Sequence, residues 1–446
     1  MDRRTFVTAL GAMSLVAGKA STTAGADLAP TAESYRRLAD ETEAALRRDV
    51  LGVWFPRAID ADKGGFHSDF ARDWRPTRSG GKFSVFQGRM TWIAAETALR
   101  RPDLREQFLP YARHGIAFLA DVLWDKEQGG FFWGVDDDGH VSPFYTDRKH
   151  LYGMSFCIYG AAAAYQATKD PQALELAERA FRWIDAHAHD APHGGYHEWL
   201  TRDGRPILGD PAAVRPELAP VAGFPVGYKS MNTHIHLLEA FTQLYDVWKD
   251  ETLRARLEEL LGVVRDKVAV DPGVLNLYFT PEWRPVADHD SYGHDVETAY
   301  LMLETEDVLG HGHDPKTERM ARKLVDHALA FGWDEVHGGF YREGTSFGKA
   351  EDTAKEWWAE VEGLNALLLM HEQYGQRSDV YFKAFQQQWR FIKEHQIDGE
   401  FRGFYMLTAA GGAPTIDTKG SIWKAAYHDG RALLNVSERL RHLAER

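Results

Sequence analysis

Gly64-Gly65-Phe66, Gly129-Gly130-Phe131, Gly194-Gly195-Tyr196 and Gly338-Gly339-Phe340 are one motif written four times: an acidic or polar turn, paired glycines, then an aromatic ring. The first glycines stand 65 residues apart from 64 to 129 and from 129 to 194, then 144 apart from 194 to 338. The long step is close to two periods, so a degenerate copy is expected near Pro272-Gly273-Val274. Arg402-Gly403-Phe404 is a weaker last copy, 65 residues past Gly338. Six units of this length exceed the common solenoid repeats and suit pairs of helices joined by long loops.

Helical periodicity fills the spaces between these turns. It predicts helices near 33–54, 85–99, 104–123, 150–168, 171–187, 230–248, 251–269, 290–309, 315–332, 354–374, 377–396 and 420–443, two per unit. Links such as Lys169-Asp170-Pro171 and Lys249-Asp250 join helices at one end. The Gly-Gly segments join them at the other, where alternation such as Gly195-Tyr196-His197-Glu198-Trp199 predicts small hairpins. The expected fold is therefore all-α: an (α/α)6 barrel of twelve helices with short β-hairpins in the long loops. No low-complexity linker divides residues 30–446, so 27–446 reads as one domain. Its pit is expected where the even-numbered helices begin, because the loop-rich end of a scaffold usually carries function.

The chain has 446 residues, 52 Lys+Arg against 66 Asp+Glu, and a net charge of −14. Nucleic acid and anionic membrane both call for a basic face, so neither is expected as a partner. The 44% hydrophobic content allows a sizeable core. Arg3-Arg4-Thr5-Phe6-Val7, a short apolar run to Gly18 and Ala24-Gly25-Ala26 read as a twin-arginine-type signal peptide over 1–26, with export to the periplasm. No cysteine stands near the cleavage site, so no lipid anchor is expected, and no later stretch is apolar enough to span a bilayer. The one cysteine, Cys157, lies in an apolar helical segment and reads as core.

Polar and aromatic residues gather at the starts of the even helices. They include Arg89 and Trp92, His150 and Tyr152, then Asn232, His234, His236 and Glu239. Farther along come His294 and Glu297, Trp357, Trp358 and Glu362, and finally Trp423, Tyr427, His428 and Arg431. Scattered surface residues would not show that register. His236/Glu239 and His294/Glu297 are both His-x-x-Glu, a spacing that puts imidazole and carboxylate on one helix face. A carboxylate so placed fixes the tautomer of its imidazole and raises its basicity. For any single histidine the plainer reading is a hydrogen-bonded core residue. Four at equivalent helix starts weaken that reading. The His-Glu-x-x-His pattern of metal-binding helices is absent, and neither a metal nor another cofactor is expected. No Gly-x-Ser-x-Gly elbow or P-loop is present. Asp136-Asp137-Asp138, and Glu356 with Glu360, read as solvated acids.

Lys229-Ser230-Met231-Asn232-Thr233-His234-Ile235-His236-Leu237-Leu238-Glu239-Ala240 resembles a signature segment of the N-acylglucosamine 2-epimerase superfamily, closest to its cellobiose (mannobiose) 2-epimerase branch. So do Ser291-Tyr292-Gly293-His294-Asp295-Val296-Glu297, Trp423-Lys424-Ala425-Ala426-Tyr427-His428-Asp429-Gly430-Arg431, Lys355-Glu356-Trp357-Trp358 and His150-Leu151-Tyr152-Gly153-Met154-Ser155-Phe156. The matches run from Arg89 to Arg431. The resemblance implies metal-free proton transfer by His294 and His428, with His236 aiding ring opening or holding the sugar. It implies that Glu297 orients His294 and that Arg89 holds a developing enediolate oxygen. His150, Tyr152, Asn232, Trp357, Trp358, Glu362 and Trp423 are expected to bind substrate.

The expected function is thus a sugar 2-epimerase acting at C2 of a reducing mannose- or glucose-type unit, free or at the end of a β-1,4-disaccharide. An aldose–ketose isomerase on the same barrel is the alternative. A glycoside hydrolase would need two carboxylates across the cleft, and a binding-only barrel would not need two facing histidines. The partner is a small sugar, and the chain is expected as a monomer or weak homodimer.

Overall fold

Two kinds of helix alternate along the chain, and their composition explains their places. The computed structural model describes residues 27–77, 80–208, 225–312 and 314–446. Among the described residues there are twelve long helices: α1 (Ala32–Ala45), α2 (Ser84–Arg100), α3 (Arg105–Phe118), α4 (Leu151–Thr168), α5 (Pro171–Ala188) and α6 (Met231–Val247), followed by α7 (Glu251–Val263), α8 (Tyr292–Leu309), α9 (Pro315–Phe331), α10 (Trp357–Tyr374), α11 (Val380–Phe391) and α12 (Tyr427–Glu445). The odd helix α5 buries Ala173, Leu176, Ala177, Ala180, Phe181 and Ile184, a single stripe at spacings of three and four. The even helix α4 is apolar nearly all round and has no exposed residue. A helix of the first kind covers a core, and one of the second kind sits inside it.

The contacts follow. The even helices touch in chain order, α2 with α4, α4 with α6, α6 with α8, α8 with α10 and α10 with α12, and α12 returns to α2. Each odd helix packs on an even neighbour: α3 on α2, α5 on α4, α7 on α6, α9 on α8, α11 on α10, and α1 on α12. α2 and α4 approach closely. A Cβ on Gly88 would lie 2.4 Å from the Phe156 carbonyl oxygen, so only glycine lets these backbones meet.

The short links work as helix starts. Asp170, Asp250 and Asp314 cap α5, α7 and α9 by accepting from the Gln172, Leu253 and Lys316 amides, and Pro171 and Pro315 fill first-turn positions. The periodicity placed the last helix from 420, but it begins at Tyr427 and residues 421–426 are non-helical. The sequence ranges 104–123, 251–269 and 377–396 are each an α-helix ending in a wider π turn, at 119–123, 264–268 and 392–396, and 33–54 carries its π turn at 46–51, before a last α-helical stretch at Gly52–Trp54.

At the other end the Gly-Gly turns close with antiparallel bridges: Ile59 with Phe66, Trp124 with Phe131, His189 with Tyr196, Trp333 with Phe340 and Ile397 with Phe404. Ala269–Val270 pairs with Val274–Leu275 around Asp271-Pro272-Gly273, so the degenerate copy lies where the spacing put it. Hairpins within loops occur at 278–286, 343–352 and 407–416. The sequence reading missed a second kind of pairing, between successive loops. Lys82–Phe83 pairs with Gly134–Val135, and Lys149–His150 with Trp199–Leu200. Lys229–Ser230 pairs with Tyr278–Phe279, Asp290–Ser291 with Glu343–Gly344, and Lys355–Glu356 with Leu407–Thr408. A Phe70–Gly420 bridge joins the first loop to the last.

A buried lysine locks each of five turns. Lys82 Nζ donates to Asp60 at 2.6 Å and to the Gly64 carbonyl at 2.7 Å. Lys229 reaches Asp190 at 2.7 Å and Gly194 at 2.8 Å, and Lys355 reaches Asp334 at 2.8 Å and Gly338 at 2.6 Å. Lys149 binds Asp125 at 3.0 Å, and Lys419 binds Asp398 at 2.9 Å. The segment 1–26, read as a signal peptide, lies outside the described residues, within which no helix is long and apolar enough to cross a membrane.

Candidate active site

The strand before each of the first five even helices is pinned by the next loop, and a Phe70–Gly420 bridge precedes α12, so the first turns of the even helices are held at one end. Arg89 on α2, Tyr152 on α4, and Asn232 and His236 on α6 line a single cavity of about 310 Å³. His294 and Glu297 on α8, Trp357 and Trp358 on α10, Trp423, and His428 on α12 complete its wall. Ten of the twelve residues expected to act on or bind the substrate meet there.

Two do not line it. His150 is buried between Trp133 and Trp199, and its Nδ1 accepts from the Tyr152 amide as the cap of α4. Its place is structural, because an imidazole at a helix start can replace the missing intrahelical acceptor. Glu362 lies behind the wall, where its Oε1 meets His428 Nδ1 at 2.7 Å and its Oε2 accepts from Tyr300 at 2.6 Å.

The two His-x-x-Glu pairs are used differently. His236 Nδ1 and Glu239 Oε2 are 2.8 Å apart, as the i,i+3 spacing suggests. Glu297 instead turns to Arg431 and lies 3.8 Å from His428 Nδ1, while His294 Nδ1 shares a 2.7 Å hydrogen bond with Ser291 Oγ. Ser291, not Glu297, orients His294. With Nδ1 engaged in both cases, Nε2 is the nitrogen left to face the cavity on His294 and His428. Trp358 lies against both rings, 4.7 Å from His294 and 5.6 Å from His428 between centroids.

Arg431 carries the buried charge balance. Its guanidinium bonds Glu239, Glu297 and Glu362 together, with the Tyr427 hydroxyl. Burial pushes the Glu239 carboxyl up, but Arg431 and His236 outweigh it and hold the group down at about 2. Burial wins at Glu362, which is raised despite Arg431. Burial lowers His294 to about 3, and it drives His428 well below its usual value, with Arg89 adding to the effect. Burial thus favours the neutral form of both imidazoles, the form with a lone pair open to a proton. Glu297, Glu362 and His428 form a cluster with metal-ligand reach, but the Arg431 guanidinium already occupies the cation position between the two carboxylates. Arg89 donates to the Trp423 carbonyl at 2.9 Å and the Tyr152 hydroxyl at 3.0 Å, and it lies between the Phe156 and Tyr427 rings.

Sequence reasoning missed Ser291, His289, Arg342, Glu343 and Met406 in the wall. A signal existed for some of them. Arg342-Glu343 follow a Gly-Gly-Phe turn in the layer that builds the site, and Ser291 stands three residues before His294. Glu356, read as solvated, also lines the cavity, and Glu360 is fully buried. Asp137 and Asp138 are exposed as expected.

A cavity at the loop end of paired helices, with imidazoles, a guanidinium and aromatic walls, is of the kind that moves protons on a small polar substrate. The sequence profile of the N-acylglucosamine 2-epimerase (GlcNAc 2-epimerase) family matches residues 64–429, and the chain belongs to that family. It is 30% identical to a cellobiose 2-epimerase of Bacteroides fragilis, over 90% of this chain and 98% of that one. It is 22% identical to a D-mannose isomerase of Marinomonas mediterranea, over 88% of this chain and 95% of the relative. Among solved structures, a cellobiose 2-epimerase of Bacillus thermoamylovorans superposes with a TM-score of 0.80 at 27% identity, covering 90% of this chain and 99% of that one.

Proposed function

We propose that this chain is a sugar 2-epimerase that inverts C2 of a reducing mannose- or glucose-type unit, working in an (α/α)6 barrel. That it is a carbohydrate epimerase or isomerase follows from its family and its relatives. The observation that carries the mechanism is that His294 and His428 flank one tryptophan in a single cavity, with Arg89 in the same wall.

Once the sugar ring has opened, one imidazole takes the C2 proton and the electron pair moves onto the aldehyde oxygen. The resulting enediolate needs a donor on that oxygen, and Arg89 is a cationic donor in the cavity wall. A proton delivered to the opposite face of C2 gives the epimer. Glu362, raised by burial and bonded to His428 Nδ1, lets that pair hold a proton between them, so His428 can give one as well as take one. His236, fixed by Glu239, assists ring opening. A single barrel over 27–446, exported behind the leader at 1–26, completes the proposal.

Ketose formation would use the same enediolate with the proton returned at C1, and the D-mannose isomerase relative keeps that reading open. Incubation with cellobiose, mannobiose, mannose and glucose in D2O, followed by NMR, separates the outcomes. The expected result is the C2 epimer with deuterium at C2. Ketose labelled at C1 would favour the isomerase, and release of monosaccharide from a disaccharide would overturn both.

A further inference from the structure

The fourth turn lacks the lock that the other five share. Its tight Asp271-Pro272-Gly273 reversal has no inward aspartate, because Asp271 is exposed and bonded to Lys323. Four of the five locking lysines, Lys82, Lys149, Lys229 and Lys355, stand first in the strand before an even helix, and Asp290 holds that position here. A carboxylate thus stands where the other loops place an ammonium.

Asp290 is not alone. Asp295, in the first turn of α8, and His327, near the end of α9, face it. His327 Nδ1 is 3.5 Å from Asp290 Oδ2 and 4.0 Å from Asp295 Oδ2, and both aspartates are fully buried. Among the described residues His327 Nδ1 has no hydrogen-bond partner, although His327 is only 4% exposed, and no lysine or arginine reaches the two carboxylates, which lie against each other with the Ser291 and Leu275 amides beside them. Burying two carboxylates without compensation is costly, so something neutralises them. His327 Nε2 lies 3.2 Å from the Ser346 carbonyl oxygen and donates to it, which leaves the Nδ1 lone pair aimed at the two carboxylates. That is the arrangement in which a backbone carbonyl fixes a metal-ligating imidazole.

We propose that Asp290, Asp295 and His327 bind a divalent transition-metal cation of the zinc class, held at the position where the other loops place their lysine. The three ligand atoms lie within 4.8 Å of one another. Bonds of about 2.0–2.2 Å in tetrahedral geometry set ligand atoms roughly 3.3–3.5 Å apart, so a small contraction closes the site around the ion. One imidazole and two carboxylates are a zinc-type ligand set, with water as the fourth ligand. The cation ties a loop strand to α8 and α9 at the base of the turn carrying His294. None of its ligands lines the active-site cavity, so its role is structural and independent of the proposed reaction.

The competing occupant is one proton shared between the two carboxyls. Metal analysis of the full chain, equilibrated with zinc and dialysed into metal-free buffer, separates the two. We expect one zinc per chain, removed by a strong chelator together with a fall in Tm that added zinc reverses. His327→Ala, Asp290→Asn and Asp290→Lys should lose both the zinc and the chelator-sensitive part of the Tm, whereas His428→Ala should keep both. The wild-type measurement stands even if a variant fails to fold. Absence of zinc with a Tm insensitive to chelator, retention of zinc by His327→Ala, or an unchanged Tm in Asp290→Asn would each overturn the site.

Discussion

His294 and His428 face the same cavity but are held by different means. His428 stands on a buried ionic framework: Glu362 on its Nδ1, Glu297 close by, and Arg431 joining both to Glu239. His294 rests on one serine hydroxyl at the start of its own helix. The contrast shows how one fold provides two imidazoles of unlike stiffness. A framework of charges crossing from α6, α8 and α10 to α12 fixes its histidine from outside the helix. A local hydroxyl fixes only the ring's rotation.

The largest expected effect removes either imidazole. His294→Ala and His428→Ala should each lower kcat for epimerisation by at least 10²–10⁴-fold, since each direction needs one as base and the other as acid. The double variant should be little worse than the worse single. Steady-state kinetics checks both, and substantial turnover in either single variant would make His236 the third acid/base.

The supports should separate the two more sharply. Glu362→Gln keeps the shape but removes the charge and the proton store beside His428, and a kcat loss of about 10–100-fold is expected, with a changed pH profile. Ser291→Ala should cost less than about 10-fold, and chiefly in kcat. Equal losses would mean that the ionic framework serves folding rather than His428.

The smallest effect concerns stability. Glu360 lies two residues before Glu362 on α10, fully buried, and burial pushes it up to about 8. The folded chain then keeps a proton that the unfolded chain releases above about 4.5, so this group's contribution falls as pH rises from 4.5 through 8. Glu360→Gln has no such proton. Its stability relative to the parent should improve by about 1–2 kcal/mol between pH 6 and pH 7.5, as read by denaturant melts. A difference independent of pH would mean that Glu360 is ionised in the fold.

The helices were legible because a three-and-four spacing of apolar residues is a local signal, and α5 displays it without help from the rest of the chain. The shared register of Arg89, His236, His294 and His428 was legible because the repeat puts equivalent positions at one end. Partners that arrive from another helix were not. The i,i+3 rule placed Glu239 with His236 correctly and Glu297 with His294 wrongly, because Arg431, 134 residues away, draws Glu297 aside. Glu360 looked like a surface acid because nothing nearby in sequence reveals what covers it. The pairing between loops was invisible for the same reason, since strands of two residues carry almost no alternation.

That pairing has a consequence for how the molecule comes apart. In a linear array of repeats the end units touch one neighbour each and fray first. Here the first loop is bridged to the last through Phe70 and Gly420, α1 lies on α12, and α12 lies on α2. No unit is terminal in space, so none peels away at half the cost. Although the chain is written as six copies, its unfolding should be all-or-none, with the same midpoint whether followed by tryptophan fluorescence or by backbone ellipticity.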